Sequence, residues 1–91
     1  MPKKLTDQEI KMKLKGIPGW NLKNQEISRL YVFSGFIAAM AFVNPVADLA
    51  ERMDHHPDIL IQYKKVTLTL STHSEGGLTA LDFELAKKID A

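Results

Sequence analysis

All three histidines of the chain, His55, His56 and His73, fall in one stretch, and Pro57 divides it. A proline disfavours the helical conformation for the residue before it, so the adjacent pair His55 and His56 is predicted to form an extended corner outside any helix. Beyond Pro57 the chain alternates between apolar and polar residues up to His73, which is typical of β-strands. The chain is therefore expected to enter a sheet immediately after the histidine pair.

The alternating stretch is predicted to fold as a hairpin. Its strands would cover 59–63 and 65–72 and would be joined by a tight turn. Ile59, Ile61 and Tyr63 are expected to share one face of the first strand. Since a hairpin of this length brings its far end back beside its start, the three histidines should lie together at one edge of a sheet.

The first part of the chain predicts a short helix and another hairpin. Thr6 and Glu9 have the spacing of a capping box, which predicts a helix over about 7–15. Alternating residues on both sides of a turn at 23–25 predict the hairpin.

The middle of the chain predicts a long helix from about 35 to 53. Ser34 is expected to cap it, and Pro45 should kink it without breaking it. Its apolar residues form two lines, which are Phe36, Met40, Val43, Ala47 and Ala50, and Ile37, Ala41, Val46, Leu49 and Met53. Such a helix is apolar around more than half of its circumference, which is more than packing on one sheet requires.

A second capping box, formed by Thr79 and Asp82, predicts a final helix. The element order is then α-β-β-α-β-β-α. It favours an α+β fold, with a four-stranded antiparallel sheet and three helices on one face. A chain of 91 residues supports one core, so residues 1–91 are predicted to form a single domain.

Composition disfavours several classes of function. Twelve basic and eleven acidic side chains leave a net charge of +1, and the lysines form no stripe, so direct binding to nucleic acid is not expected. There is no cysteine for a disulfide or for a thiolate metal site. A polar start and the lack of a long apolar run predict no membrane segment and a cytoplasmic location.

The histidines suggest acid–base chemistry, because imidazole can donate or accept a proton near neutral pH. Two other interpretations stay open. The three imidazoles could hold a zinc ion, although His55 and His56 would point to opposite sides of an extended chain. Alternatively, they are exposed polar residues at a loop corner. Asp82 in a capping box and Glu51 at a helix end also have structural explanations.

Several motifs spread along the chain carry a resemblance to a known family. They are G-W at 19–20, F-x-x-A-x-x-F-x-x-x-V-A-x-x-A-E over 36–51, E-R-M-D-H-H-P over 51–57, the aromatic Tyr63, T-L-T-L-S-T-H over 67–73 and G-G-L-T-A-L-D over 76–82. Together they resemble the pterin-4a-carbinolamine dehydratase family, also known as the dimerization cofactor of a hepatocyte nuclear factor. One departure is Ile59, where many relatives carry tryptophan.

This resemblance implies a dehydratase that removes water from 4a-hydroxytetrahydrobiopterin to give the quinonoid dihydropterin, in tetrahydrobiopterin recycling, with no metal and no cofactor. It places the catalytic histidines of the family at His55, His56 and His73. The residues that it implies for substrate binding are Glu51, Asp54, Pro57, Ser71, Thr72, Ser74 and Asp82. His55 and His73 are the first choices for proton transfer, since only one of two adjacent side chains can point squarely at a substrate.

A function of another class also fits the resemblance, namely an interaction module that stabilises a partner's dimer, as a transcriptional coactivator would. The second apolar line of the long helix would be exposed in a monomer, which favours a homodimer or homotetramer. An unpaired edge strand could also join its two-fold mate. The expected partners are a pterin substrate and further copies of this chain, without nucleic acid or membrane.

Overall fold

A computed structural model describes residues 3–91 and gives the predicted order of elements. They are α1 (Asp7–Leu14), β1 (Asn21–Lys23), β2 (Glu26–Val32), α2 (Phe36–Met53), β3 (Asp58–Gln62), β4 (Lys65–Leu70) and α3 (Ala80–Asp90), with a short 3₁₀ turn at His73–Glu75. The four strands form one antiparallel sheet in the order β1-β2-β4-β3. The predicted α+β fold is confirmed. No helix within residues 3–91 has both the length and the apolarity to cross a membrane.

The core lies between one face of the sheet and the helices. Val66, Leu68 and Leu70 of β4 are fully buried, and Ile27 of β2 pairs with Leu70 and is buried with them. Because β4 has a strand on each side, its inward side chains are shielded along the sheet as well as above it. The other buried apolar residues of this core are Ile10, Ile17, Trp20, Ala39, Val43, Val46, Leu78, Phe83, Leu85 and Ala86.

α1 begins as its capping box predicts. The Thr6 hydroxyl accepts a hydrogen bond from the Glu9 amide, and the Glu9 carboxylate accepts one from the Thr6 amide. These bonds lower the pKa of Glu9. The helix ends at Leu14, one residue before the predicted end.

α2 runs through Pro45 without a break, but its start differs from the prediction. Gly35 is the residue that precedes the helix, and no side chain within residues 3–91 accepts a hydrogen bond from the first turn. Ser34 is one residue too early to serve as the cap, so that expectation is wrong.

The buried side of α2 combines residues from both predicted apolar lines. Val43 and Ala50 of the first line, Val46 of the second line and Ala39, which belongs to neither, are buried. Neither line by itself therefore describes the buried face of the helix. At the beginning of the helix, Phe36 and Ile37 are 49% and 80% exposed.

The second hairpin is shorter than expected. Tyr63 lies in its turn, with a left-handed φ of 57° and 67% exposure. Its predicted place in a strand, on the same face as Ile59 and Ile61, is therefore wrong. β4 ends at Leu70, because Thr72 pairs with Gly77 in an isolated bridge and the chain leaves the sheet there.

Asp90 attaches the end of α3 to the sheet. Its Oδ2 accepts hydrogen bonds from Trp20 Nε1 at 2.7 Å and from Arg29 Nη1 at 3.0 Å, and its Oδ1 accepts one from the Tyr31 hydroxyl at 2.5 Å. Partial burial, together with the hydrogen bond to Asp90, raises the pKa of Tyr31 far above its ordinary value.

Replacing Tyr31 with phenylalanine should reduce the sensitivity of the fold to alkali. Because the pKa of Tyr31 is higher in the folded state than in the unfolded state, its contribution is complete below about pH 10 and is lost as the pH rises through the folded-state pKa. We expect Tyr31→Phe to lower the free energy of unfolding by about 1 kcal/mol near neutral pH, and by less above about pH 10.

Urea unfolding of the variant and of the unmodified protein, near neutral pH and above about pH 10, measures the change in the free energy of unfolding. Tyr63→Phe is the matched control, because Tyr63 is exposed in a turn and its hydroxyl has no hydrogen-bond partner within residues 3–91. A stability difference between the Tyr31→Phe variant and the unmodified protein that does not change with pH would contradict the prediction.

Candidate functional site

A buried carboxylate, Asp82, joins the two segments that carry the histidines. Its Oδ1 lies 2.5 Å from His55 Nε2, on the segment between α2 and β3. Its Oδ2 accepts a hydrogen bond from the Thr72 hydroxyl at 2.8 Å, and Thr72 directly precedes His73. Asp82 is fully buried, and His55 and Thr72 are 8% and 5% exposed. A single side chain thus fixes the position of one histidine segment relative to the other.

Asp82 also completes the capping box of α3. Its Oδ2 accepts a hydrogen bond from the Thr79 amide at 2.9 Å, while the Thr79 hydroxyl accepts one from the Leu81 amide at 3.3 Å. From the sequence, Asp82 had two alternative interpretations, as a residue that caps α3 and as a site residue beside the histidines. Both contacts occur, since each carboxylate oxygen has its own partners.

The hydrogens in this network have one consistent arrangement. An ionised Asp82 carboxylate can only accept hydrogen bonds. The Thr72 hydroxyl and His55 Nε2 must therefore donate to it. Since the single hydroxyl hydrogen of Thr72 is used, the 2.8 Å contact between the Thr72 and Thr79 hydroxyls must be donated by Thr79.

The turn after α2 directs the two adjacent histidines to different sides. Asp54 adopts a left-handed conformation with φ 50°. Its amide donates to the Glu51 carbonyl and the His55 amide donates to the Ala50 carbonyl, which is the pattern of a Schellman motif. His55 then turns into the interior, while His56 remains outside.

His56 pairs with Glu51 at the surface. The distance from His56 Nε2 to Glu51 Oε1 is 2.7 Å, and the two side chains are 55% and 77% exposed. The last turn of α2 therefore supplies His56 with a carboxylate partner that stays in contact with solvent.

His73 begins the short turn His73–Glu75 and is exposed. The Thr72 amide donates to the Gly77 carbonyl at 2.9 Å, and the Gly76 amide donates to the His73 carbonyl at 3.1 Å. The first bond closes the base of the loop between Thr72 and Gly77, and the second lies inside that loop. The backbone of His73 is thus anchored, while its imidazole has no hydrogen-bond partner within residues 3–91.

The remaining predicted site residues border these segments without joining the Asp82 network. Asp54 and Ser74 are exposed, and Pro57 and Ser71 are partly buried. The sequence did not identify Thr79 as a site residue, because its place in the capping box gave it a sufficient role. The sequence feature that could have identified Thr79 is that its partner in the capping box, Asp82, was itself a candidate site residue.

The geometry does not resemble a metal centre. Within residues 3–91, no three side chains of His, Cys, Asp or Glu converge as ligands of one ion. His55 and His56 are instead each bonded to a different carboxylate.

Removing the Asp82 carboxylate should destabilise the fold. Asp82→Ala leaves His55, Thr72 and the Thr79 amide without their acceptor, so we expect the free energy of unfolding to fall by about 3 kcal/mol. Glu84→Ala, at an exposed position of the same helix, is the control and should change it by less than about 0.5 kcal/mol. Urea denaturation measures both, and equal effects would contradict a structural role for the network.

Comparison with known proteins agrees with this architecture. The profile of the family described as Pterin 4 alpha carbinolamine dehydratase matches residues 3–91. A protein from Acidobacterium capsulatum is 53% identical over 96% of this chain and 95% of its own length. Another, from Sulfolobus acidocaldarius, is 47% identical over 96% of each chain. Both carry the name pterin-4-alpha-carbinolamine dehydratase as a provisional assignment.

Two solved structures share the fold. A transcriptional coactivator/pterin dehydratase from Brucella melitensis superposes with a TM-score of 0.92 at 37% identity, covering 97% of this chain and 96% of its own. A pterin dehydratase-like protein, identified as a RuBisCO assembly factor in the alpha-carboxysome, gives 0.63 at 22% identity, over 78% of this chain and 82% of its own. At that identity, the second structure is similar in fold alone.

Proposed function

This chain belongs to the pterin-4-alpha-carbinolamine dehydratase family, whose members are hydro-lyases, and we propose that it dehydrates 4a-hydroxytetrahydrobiopterin by histidine acid–base catalysis. The product would be the quinonoid dihydropterin, in tetrahydrobiopterin recycling. The observation that carries the proposal is the Asp82 carboxylate, which bonds His55 through one oxygen and Thr72, the neighbour of His73, through the other. A cytoplasmic location remains a prediction from the sequence.

The reaction requires two proton transfers. An acid protonates the hydroxyl at C4a so that it leaves as water, and a base takes the proton from the adjacent ring nitrogen, whose electrons form the new carbon–nitrogen double bond. A neutral imidazole can serve as the base and an imidazolium as the acid. Two imidazoles held at a fixed separation therefore suffice, and each proton transfer typically contributes about 10² to 10⁴ in rate.

The three histidines differ in their exposure to solvent, and this difference suggests different roles for them. The side chain of His56 is 55% exposed and His73 is exposed as well, whereas His55 is 8% exposed and its Nε2 is bonded to Asp82. We assign contact with the substrate to His56 and His73, and positioning of the turn to His55. The sequence ranked His55 ahead of His56, and the burial of His55 favours the reverse order.

The other predicted site residues of the same two segments would hold the pterin. Asp54 and Pro57 flank the histidine pair, and Ser71, Thr72 and Ser74 flank His73. Glu51 would act through His56, and Asp82 through His55 and Thr72. Thr72 is 5% exposed, so its part in substrate binding would come from its backbone and from the loop that it anchors.

Single substitutions test these assignments. His56→Ala and His73→Ala should each lower kcat by about 10² or more while the protein stays folded, because each removes one proton transfer. His55→Ala removes one of the three donors to Asp82 and leaves Oδ1 without a partner, so it should also lower the free energy of unfolding by about 2 kcal/mol.

The measurement is the disappearance of the carbinolamine above its spontaneous rate, together with urea unfolding of each variant. Gln62→Ala, at an exposed position of β3, is the control. If His56→Ala kept more activity than His55→Ala, the ranking from sequence would be restored. If the unmodified protein gave no acceleration, the dehydratase proposal would be refuted.

We also propose that the chain forms a homo-oligomer through the outward side of α2. Phe36 and Ile37 leave apolar surface exposed at the start of this helix. The edge strands β1 and β3 offer a second self-complementary surface. The same side of α2 would serve the alternative function, in which the protein stabilises a partner's dimer.

Ile37→Glu should disrupt this assembly, because it places a charge within the proposed apolar contact. Light scattering over a dilution series should show a smaller mass for this variant than for the unmodified protein, with 10.2 kDa as the mass of one chain. Gln8→Glu, an equal charge change at an exposed position of α1, is the control. A mass of one chain for the unmodified protein would refute the proposal. Val43, which is 7% exposed, is unsuitable as a probe, because a charge there would disrupt the core.

A further inference from the structure

A cleft at the C-terminal end of α3 lies apart from the histidines, which are grouped near the N-terminal end of that helix. Its volume is about 640 Å³, and it is lined by the loop 16–19 together with Arg29, Lys87 and Asp90. This volume lies within the range of small-molecule pockets. None of the predicted dehydratase residues lines it.

The guanidinium of Arg29 is held in a fixed position at the cleft. Its Nη1 donates to Asp90 Oδ2 at 3.0 Å and to the Pro18 carbonyl at 3.3 Å, and its central carbon lies 4.7 Å from the centroid of the Tyr31 ring. Gly19 makes room for it, because a Cβ at this position would lie 2.9 Å from the guanidinium carbon, and the φ of Gly19 is 92°. Within residues 3–91, Nε and Nη2 of Arg29 have no acceptor.

Lys87 supplies a second positive charge beside the same loop. A Cβ on Gly16 would lie 3.4 Å from Lys87 Cε and 3.6 Å from Nζ, so the lysine side chain passes close to the glycine backbone. In the described part of the chain, Lys87 forms no salt bridge.

The cleft carries an excess of positive charge, although Asp90 also lines it. Asp90 is the carboxylate among the lining residues, and it already accepts hydrogen bonds from Trp20, Tyr31 and Arg29. Its charge is therefore distributed over three donors, while the free donors of Arg29 and the ammonium of Lys87 have no partner. Planar guanidinium donors together with an ammonium suit an oxyanion such as a phosphate or a carboxylate.

We propose that this cleft binds a small organic anion through its phosphate or carboxylate group. Arg29 and Lys87 would bind the charged group, and Pro18, which also lines the cleft, would contact an apolar part of the ligand. The site is separate from dehydration in both residues and chemistry, so it does not depend on the proposed enzymatic function.

Titrations with phenyl phosphate and with benzoate, followed by NMR of the Gly16 and Gly19 amides, test the proposal and distinguish the two charged groups. We expect saturable shifts with a Kd on the order of 1 mM for at least one of them. Lys87→Gln should weaken binding about tenfold, since it removes a charged hydrogen bond, and Lys87→Arg should restore most of it.

Lys88→Gln provides the matched control, because it makes the same charge change on the neighbouring residue, which is exposed and does not line the cleft. This variant should bind like the unmodified protein. Equal weakening by Lys87→Gln and Lys88→Gln, shifts confined to the histidine segments, or no saturable shift with either anion would each overturn the proposal.

Discussion

The buried bond between Asp82 and His55 is the contact on which the arrangement of the histidines depends. An unpaired buried carboxylate is costly, and here every oxygen of Asp82 has a donor. These donors come from three places in the chain: the turn after α2, the end of the β4 segment and the start of α3. Neither histidine segment can shift without breaking a bond to the same side chain, so the spacing between the segments is set in the core and not at the surface.

Both ends of α3 are fixed by an aspartate that accepts three donors. At the first turn Asp82 holds the histidine segments, and at the last turn Asp90 holds Trp20, Arg29 and Tyr31. The helix spans the core between them with Phe83, Leu85 and Ala86 buried. Its orientation on the sheet is therefore determined by polar contacts at both ends as well as by apolar packing. Each aspartate connects the interior to a different polar surface, one with histidines and one with cationic side chains.

The element order and the histidine segments could be predicted from the sequence, because they depend on local patterns. Alternation, capping boxes and Pro57 each act within a few residues. The Asp82 network could not be predicted, since it joins residues that are separated by 27 and 10 positions. The cap at Ser34 and the place of Tyr63 failed for a related reason. Gly35 and the left-handed Tyr63 follow from how the chain leaves one element and enters the next, which apolar periodicity does not encode.

The division between buried and exposed histidines suits the proposed acid–base dehydration. A buried imidazole bonded to a carboxylate, such as His55, is held in a fixed position. Exposed imidazoles such as His56 and His73 can be reprotonated between turnovers. Carbinolamine dehydration also proceeds slowly without a catalyst, so the proposed activity requires only a modest acceleration from positioned acid–base groups. In the proposed reaction, two exchangeable imidazoles beside the substrate would supply proximity and orientation, and the Asp82 network would contribute by holding the segments that carry them.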